Sequence, residues 1–428
     1  MTTSAQQVKD NEYTILVRSG WQTVNIGDIA HTPGLLRIIE RYLPGAGVVL
    51  WPNRLDRGVD RMLRKRFPRL RIVRDAPSWP NPDPRDDDPT IDQAIRESDV
   101  MVSGSGASLG SKHELKRWFA ETGRPYGAFG ITIGSPIGLG VTTTEQFSKS
   151  DIEIADAASF IFTRESKSLY AVRQQGLRCP HVEFVPDATF ALDLRDDPAA
   201  ERLLATHQLN PGEFLCAIPR LRFTPYWEIY PTRQIDPAEI AAKKAVNDEF
   251  AEQDHAKLRE VIVSWVRQTG LKVLLCPEMT YQVGIAKSLV YDLLPEDVKA
   301  YVVHLNRYWL TDEAASVYRL ARAVVSMECH SPIIAIANGR PGLYLRQPTD
   351  TWKGQMYADI GLGDWKFDLE AVSASEIVET ILKIHNDYGT ALERVAQAGA
   401  LAEQRFEYAA GVIQAVVLRS QPTRRFRP

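Results

Sequence analysis

Residues 323–364, AVVSMECHSPIIAIANGRPGLYLRQPTDTWKGQMYADIGLGD, decide the fold of this chain. Two short apolar runs, Ala323–Met327 and Gly342–Leu345, flank a segment with a helix-start signature. In that signature Ser331 would be the capping residue and Pro332 the first helical residue. The order strand, helix, strand is typical of a parallel sheet whose faces are covered by helices.

The same alternation extends to both sides of this stretch. In the first half the predicted strands are Tyr13–Val17, Val48–Trp51, Leu70–Val73, Val100–Ser103, Gly127–Ile131, Phe160–Thr163 and Val182–Val185. In the second half they are Phe214–Ile218, Val273–Cys276, Val302–Leu305, Ala323–Met327 and Gly342–Leu345. Two such series predict two Rossmann-like α/β domains that face a central cleft, with ligands at the C-terminal ends of the strands.

The length of 428 residues exceeds what one hydrophobic core usually serves, so two domains are expected. We expect a disordered N-terminus over residues 1–12, a first domain over 13–205 and a second over 206–395. Residues 396–428 are expected to form a C-terminal helix that returns towards the first domain, followed by a tail. The boundary is placed in a charged stretch that ends in Asn210-Pro-Gly.

A polar insertion of about 30 residues, Thr224–Asp254, separates one predicted strand from the helix Lys257–Thr269. Long loops in compact domains are often lids or substrate-binding segments. A surface loop with no catalytic role is an equal alternative, so the sequence leaves the role of this insertion open.

Composition excludes several classes of protein. The net charge of −3 gives no overall argument for nucleic acid or an anionic membrane as partner. The four scattered cysteines form no Cys-x-x-Cys pair, which argues against a disulfide framework or a zinc site. No other metal-ligand spacing is visible, and no cofactor is expected. Without an apolar signal segment or a run long enough to span a membrane, the chain is predicted to be soluble and cytoplasmic.

His330 is the first candidate for chemistry, because it precedes the predicted helix start at the end of a strand. The unpaired N–H groups of a helix N-terminus bind anions, and the helix dipole lowers the pKa of an imidazole. Arg346 ends the next strand and Lys353 follows it, so all three residues are expected at one rim of the sheet. The alternative is that His330 only caps the turn.

Glu328, at the end of the same buried strand, needs a partner for its charge. It is expected either to orient His330 or bind a substrate hydroxyl, or to form a structural ion pair with Arg346 or Arg340.

Three further segments are candidates for binding. Ser105 lies in the Gly-rich turn Ser103–Gly110, which either lines an acceptor pocket or is a backbone turn only. Asn25 and Asp28 would contact sugar hydroxyls, although Asp28 as a helix N-cap is the stronger local explanation. Glu278 would bind an acceptor or else be a solvated loop charge. His31 and His304 are expected to be structural.

Five motifs in order resemble the polysaccharide pyruvyl transferase family over roughly residues 13–365. They are Asn25, Gly27 and Asp28; the turn Ser103–Gly106; the run Thr163–Ser166, Gly176 and Asp187; Arg220 and Arg222; and Ser326, His330, Gly339, Pro341 and Lys353. The resemblance implies a GT-B type fold, with an acceptor on the first domain and a donor on the second.

The resemblance also implies a reaction. A pyruvyl group would pass from phosphoenolpyruvate to sugar hydroxyls as a ketal, with His330 and Glu328 at the catalytic position and His330 as general acid. Donor-binding residues would be Arg220, Arg222, Ser331, Arg346 and Lys353. Acceptor-binding residues would be Asn25, Asp28, Ser105 and Glu278, which would contact a sugar or glycan-lipid.

One departure from the family pattern keeps other functions open. The family has an arginine two residues before its histidine, and this chain has Glu328. The change weakens binding of a trianionic donor unless other cations compensate. A nucleotide-sugar donor, with Asp350 on the ribose, is one alternative, and a non-catalytic glycan-binding protein is another. A homo-oligomer is compatible with either.

Overall fold

The computed structural model describes residues 11–107, 112–132, 135–136, 142–143 and 149–420. Nearly all of the predicted disordered N-terminus, residues 1–12, therefore lies outside the described residues, as does the tail beyond Ser420.

The first domain is built on a parallel sheet, as predicted. Its strands are β1 (Tyr13–Ser19), β2 (Ala46–Pro52), β3 (Arg71–Ile72), β4 (Val100–Ser103), β5 (Gly106–Ala107), β6 (Tyr126–Thr132), β9 (Phe160–Thr163) and β10 (Val182–Phe184). They lie in the order β10-β9-β6-β4-β1-β2-β3, with β5 paired to β6. A separate antiparallel pair joins β7 (Ser135–Pro136) to β8 (Thr142–Thr143).

The second domain repeats this plan with another parallel sheet. Its strands are β11 (Phe214–Ile218), β12 (Lys272–Leu275), β13 (Val302–His304), β14 (Ala323–Ser326), β15 (Gly342–Arg346) and β16 (Lys366–Asp368). They lie in the order β13-β12-β11-β14-β15-β16. In both sheets the first and fourth strands of the described domain are neighbours, β1 beside β4 and β11 beside β14. Such a position is a topological switch point, where ligands of open α/β sheets bind.

Helices connect the strands in both halves. Those of the first half are α1 (Ile26–Tyr42), α2 (Val59–Arg66), α3 (Ile91–Glu97), α4 (Lys112–Thr122), α5 (Lys149–Ala157), α6 (Ser166–Gln174) and α7 (Asp197–His207). Those of the second half are α8 (Tyr226–Ile229), α9 (Pro237–Thr269), α10 (Gln282–Ile285), α11 (Glu296–Lys299), α12 (Thr311–Leu320), α13 (His330–Ala337), α14 (Gln355–Asp359), α15 (Ala374–Asn386) and α16 (Tyr388–Ser420). Because α7 contains residues 205 and 206, it crosses the predicted boundary, and a division at that point stays a prediction.

The insertion Thr224–Asp254 is not the long polar loop that the sequence suggested. Most of it is helical, because α9 begins at Pro237 and continues without a break to Thr269. Asp236 caps this helix by accepting a hydrogen bond from the Ala238 N–H, and proline occupies its first position. Only the short α8 and its flanking turns remain of the predicted loop.

The C-terminal region is helical, as predicted, and α16 packs against the first domain. Glu403 of α16 accepts a hydrogen bond from the Tyr42 hydroxyl and forms an ion pair with Arg37 at 2.5 Å, and both partners belong to α1. No helix in the described part of the chain is long and apolar enough to cross a membrane.

Candidate functional site

The candidate site lies where the switch points of the two sheets meet. The Ile26 N–H donates to the Glu278 carbonyl (3.0 Å), and the Thr280 N–H donates to the Val24 carbonyl (3.0 Å). The first turn of α1 therefore packs directly against the second domain. Gly27 is required at this contact, since a Cβ there would lie 2.4 Å from the His330 Cβ.

His330 lies in this junction and is the first residue of α13. The sequence had predicted a later start, with Ser331 as the N-cap and Pro332 as the first helical residue. Ser331 does not cap the helix: its N–H and its hydroxyl both donate to Glu278 Oε2, each at 2.7 Å. Glu278 thus stabilises the positive end of α13. It is fully buried, so the alternative of a solvated loop charge is wrong.

Three residues of the first domain lie beside His330; two of them, Arg164 and Asp187, belong to the family motif, but their proximity to the two histidines was not predicted from the sequence. His31 of α1 places its Nε2 atom 3.1 Å from the His330 Nε2 atom. Asp187 places its Oδ2 atom 3.4 Å from His31 Nε2 and pairs with Arg164 Nη1 at 2.7 Å. His31, predicted to be structural, is therefore a neighbour of the proposed catalytic histidine.

Burial decides the protonation state of both imidazoles. Burial lowers the pKa of His330 to about 4, and Lys353 and Arg164 lower it further while Asp187 opposes the change. Burial also lowers the pKa of His31 to about 4. The direction agrees with the prediction for His330, but the main cause is loss of solvent rather than the helix dipole. Both rings are neutral at pH 7 in this state.

A network of buried charges lies beside His330, where β11 and β14 end. Arg220 Nη1 lies 2.6 Å from Asp350 Oδ1, and Arg220 Nε lies 3.3 Å from Glu328 Oε1. Lys353 Nζ adds a contact of 3.3 Å to Asp350 Oδ1. The ion pair of Glu328 is therefore with Arg220, and not with Arg346 or Arg340. Burial raises the pKa of Glu328 to about 7, although Arg220 opposes the rise.

Glu328 contacts Gln282 as well, whose Nε2 donates to Oε1 at 2.8 Å. None of its described hydrogen bonds goes to His330, so the expectation that it orients His330 finds no direct contact in the described residues.

Arg222 and Arg346, both predicted to bind a donor, are held by other residues. Arg222 forms two hydrogen bonds to Asp254 (2.8 and 3.0 Å) and one to Glu370 (2.8 Å). Arg346 donates to Asp368 at 3.0 Å and to the Asp350 carbonyl at 2.8 Å. Both guanidinium groups are therefore engaged in hydrogen bonds to other residues of the second domain. Of the predicted donor cations, Arg220 and Lys353 lie in the network itself.

Three of the predicted acceptor residues, Asn25, Asp28 and Ser105, belong to the first domain. Asn25 is the N-cap of α1, because its Oδ1 accepts from the Gly27 N–H (2.7 Å) and the Asp28 N–H (3.2 Å). Asp28 is therefore not the cap but lies in the first turn, where its carboxylate accepts a hydrogen bond from Gln22. Ser105 is buried, and its carbonyl accepts a hydrogen bond from the Trp21 indole.

The cluster of His31, Asp187 and His330 has the composition of a site for a proton or a metal ion. One ligand atom from each residue lies within 4.8 Å of the others, and all three residues are buried. The sequence offered no spacing signal for this cluster, because His31 and His330 are 299 residues apart. Only the Asp187 motif pointed towards it.

Several solved structures share the GT-B type fold of this chain. HepE from Anabaena, in complex with UDP and glucose, is 14% identical, with a TM-score of 0.53 and coverage of 96% of this chain and 100% of that one. A putative UDP-N-acetylglucosamine 2-epimerase from Listeria monocytogenes is 12% identical, with a TM-score of 0.54 and coverage of 97% and 98%. MnaA from S. aureus, bound to UDP, is 10% identical, with a TM-score of 0.57 and coverage of 97% and 99%. At these identities the likeness shows the GT-B type fold.

None of the curated proteins compared with this chain matches it. The sequence model of the family described as polysaccharide pyruvyl transferase matches residues 25–347. That span begins at the N-cap of α1 and includes His31, Asp187, Arg220 and His330. The chain belongs to the polysaccharide pyruvyl transferase family and is a transferase that modifies glycans.

Proposed function

We propose that the chain transfers a pyruvyl group from phosphoenolpyruvate to two hydroxyls of a sugar, with His330 as the general acid. His330 donates a proton to the methylene carbon of the enol, which gives an oxocarbenium-like centre at the adjacent carbon. The two hydroxyls attack that centre and lose their protons, phosphate leaves, and a cyclic ketal is formed. The supporting observation is the position of His330 between the charge network of the second domain and α1 of the first.

The low pKa of His330 fits an acid that is charged only when the donor is bound. In the ligand-free state burial keeps the ring neutral, with a pKa of about 4. A phosphate and a carboxylate placed beside the ring favour its protonated form and raise its pKa towards neutrality. His31, with its Nε2 atom 3.1 Å away, is placed to accept or return a proton. Binding of the donor would thus produce the protonated form of His330 that the reaction requires.

The cations for the donor are Arg220 and Lys353, which the charge network keeps in place. Asp350 contacts both of them and leaves other N–H donors of each side chain for phosphate or carboxylate oxygens. We assign the acceptor to the opposite side, where Trp21, Asn25 and Asp28 offer an indole ring and polar groups. Aromatic faces with a few placed polar groups are typical of small-molecule sites.

Turnover and binding test this function together. Phosphate release from phosphoenolpyruvate is measured with a panel of sugars and glycan-lipids, and donor binding is measured as a thermal shift. His330→Gln is expected to lower kcat by at least about 100-fold, the usual share of a general acid. His304→Gln serves as the control, since that ring donates a hydrogen bond from Nε2 to the Val283 carbonyl, away from the junction. Absence of any thermal shift with phosphoenolpyruvate contradicts the proposal.

A nucleotide sugar is the second candidate donor, and the observation that favours it is the balance of charge. Arg220 and Lys353 already face Asp350 and Glu328, so the network carries little net positive charge for a trianion. If Asp350 binds the ribose of such a donor, its carboxylate has to give up its contact with Arg220 or with Lys353. A thermal shift with UDP or GDP, and none with phosphoenolpyruvate, decides for this candidate. Sugar binding without turnover of either donor decides for a glycan-binding protein.

A further inference from the structure

Three potential metal-ligand atoms lie within 4.8 Å of one another inside the domain junction. The Nε2 atoms of His31 and His330 are 3.1 Å apart, and His31 Nε2 is 3.4 Å from Asp187 Oδ2. At metal–ligand distances of about 2.0–2.2 Å, neighbouring ligands of a tetrahedral or octahedral ion lie roughly 3.0–3.4 Å apart. These two spacings fall at the ends of this interval, while the ligand atoms of His330 and Asp187 lie within 4.8 Å of each other and have to approach when an ion binds.

All three residues are buried, and each presents a side-chain atom of the kind that binds transition metals. The Arg164 contact uses one lone pair of Asp187 Oδ2 and leaves another for an ion.

A second, independent observation concerns Glu278, which lies behind His330. Its Oε1 atom is buried without a hydrogen-bond partner in the described structure and lies 3.7 Å from His330 Nδ1. Its other oxygen is held by Ser331, which fixes the carboxylate in place. In metal sites the ligating histidine donates its other ring N–H to such a carboxylate, which sets the tautomer and makes the ring a better ligand.

We propose that His31, Asp187 and His330 form a binding site for one divalent transition-metal ion of the class that prefers nitrogen ligands, such as Zn²⁺, Co²⁺ or Ni²⁺. Binding occupies the Nε2 atoms of both rings, so each ring keeps its single proton on Nδ1. The ion gains three protein ligands and retains a position for water, as in open zinc sites.

The site competes with the proton that the proposed reaction needs. An ion on His330 Nε2 prevents this nitrogen from donating a proton, so metal binding inhibits the transferase. Metal binding itself does not depend on the proposed function, because it requires only the three ligand atoms.

The test measures metal binding directly, without using activity. The protein is stripped with a chelator and titrated with Co²⁺, whose visible absorption reports the ligand set, and Zn²⁺ binding is measured by calorimetry. One Zn²⁺ per chain is expected to displace Co²⁺. His31→Gln is expected to weaken Zn²⁺ binding at least 100-fold, and Glu278→Gln about 10–100-fold. His304→Gln is the matched control and keeps the wild-type affinity.

Folding of each variant is checked by circular dichroism, and Asp187→Asn replaces His31→Gln if the latter does not fold. Equal Zn²⁺ affinity in the wild type and in the folded variant overturns the proposal, as does a Co²⁺ spectrum of the hydrated ion. If Zn²⁺ binds as expected but neither donor is turned over, the proposed function is wrong and the metal site stands.

Discussion

The two switch points of this molecule have the same topology but different chemistry. In the first domain, the end of β1 carries Arg18, which pairs at 2.8 Å with the partly buried Glu114 of α4, together with hydroxyl and amide groups. In the second domain, the ends of β11 and β14 carry a chain of charges from Lys353 through Asp350 and Arg220 to Glu328. Equivalent positions in equivalent folds therefore differ in what they can bind. The residues that follow the strands, and not the fold, decide the chemistry.

The largest expected effect comes from breaking the network of the second domain. Arg220→Met leaves Asp350 and Glu328 buried without their main cation, and such a loss costs about 3–5 kcal/mol of unfolding free energy. Urea denaturation measures the change. Adding Asp350→Asn to this variant is expected to recover part of the loss. A change below about 1 kcal/mol would mean that the network is solvated and resembles a surface ion pair.

The next largest effect is expected in the pH dependence of stability, which a buried carboxyl group of the first domain controls. Burial raises the pKa of Glu165 from 4.5 to about 7, against the influence of Arg164. The folded protein therefore holds a proton that the unfolded chain releases, and its stability falls as pH rises from about 4.5 to about 7. Glu165→Gln removes this pH dependence. The free energy of unfolding of the variant is therefore expected to rise relative to that of the wild type by about 3 kcal/mol across that interval. The exposed Glu201→Gln is the control, and a pH-independent difference contradicts the prediction.

The contact between the two switch points is tested at Gly27. Gly27→Ala puts a Cβ 2.4 Å from the His330 Cβ, so the junction must shift at a cost of about 1–3 kcal/mol. Thermal unfolding gives the loss of stability, and Zn²⁺ titration shows whether His31 and His330 have moved apart. Gly411→Ala, in the exposed face of α16 with open space around it, is expected to stabilise by up to about 1 kcal/mol. Equal effects of the two changes would show that the junction is loosely packed.

The smallest effect separates capping from sugar binding on the first-domain side. Asn25→Ala removes the N-cap of α1 and is expected to cost about 1 kcal/mol. Asn25→Ser restores a capping oxygen and most of the stability. If Asn25 also binds the acceptor, the serine variant keeps the stability and raises KM for the sugar. An unchanged KM leaves Asn25 as a cap only.

The sequence predicted most strands of the two sheets because each of these is a short apolar run between turn residues, and such runs need only local information. It did not predict β16, in which Phe367 is the one apolar residue. It missed the first 20 residues of α9 because that segment is exposed and has little apolar periodicity. Its content of alanine, lysine and glutamate was the signal that favoured a helix over a loop.

Two residues of the second switch point, His330 and Glu328, were predicted because they closely follow a strand, whereas Arg220 was singled out by the family resemblance. All three come within four residues of a strand end. Their partners were not predictable in the same way. The pairing of His330 with His31 arises only when two domains pack together, and the pairing of Arg220 with Glu328 depends on side-chain direction. A periodic pattern carries no information on either.

The contact of α16 with α1 has a consequence for the synthesis of the protein. Glu403 leaves the ribosome 361 residues after its partner Tyr42. Until then the outer face of the helix that carries His31 has no partner from the C-terminal helix. Released fragments that lack α16 therefore leave this face uncovered, and the nascent chain acquires its complete domain junction only after α16 has been synthesised.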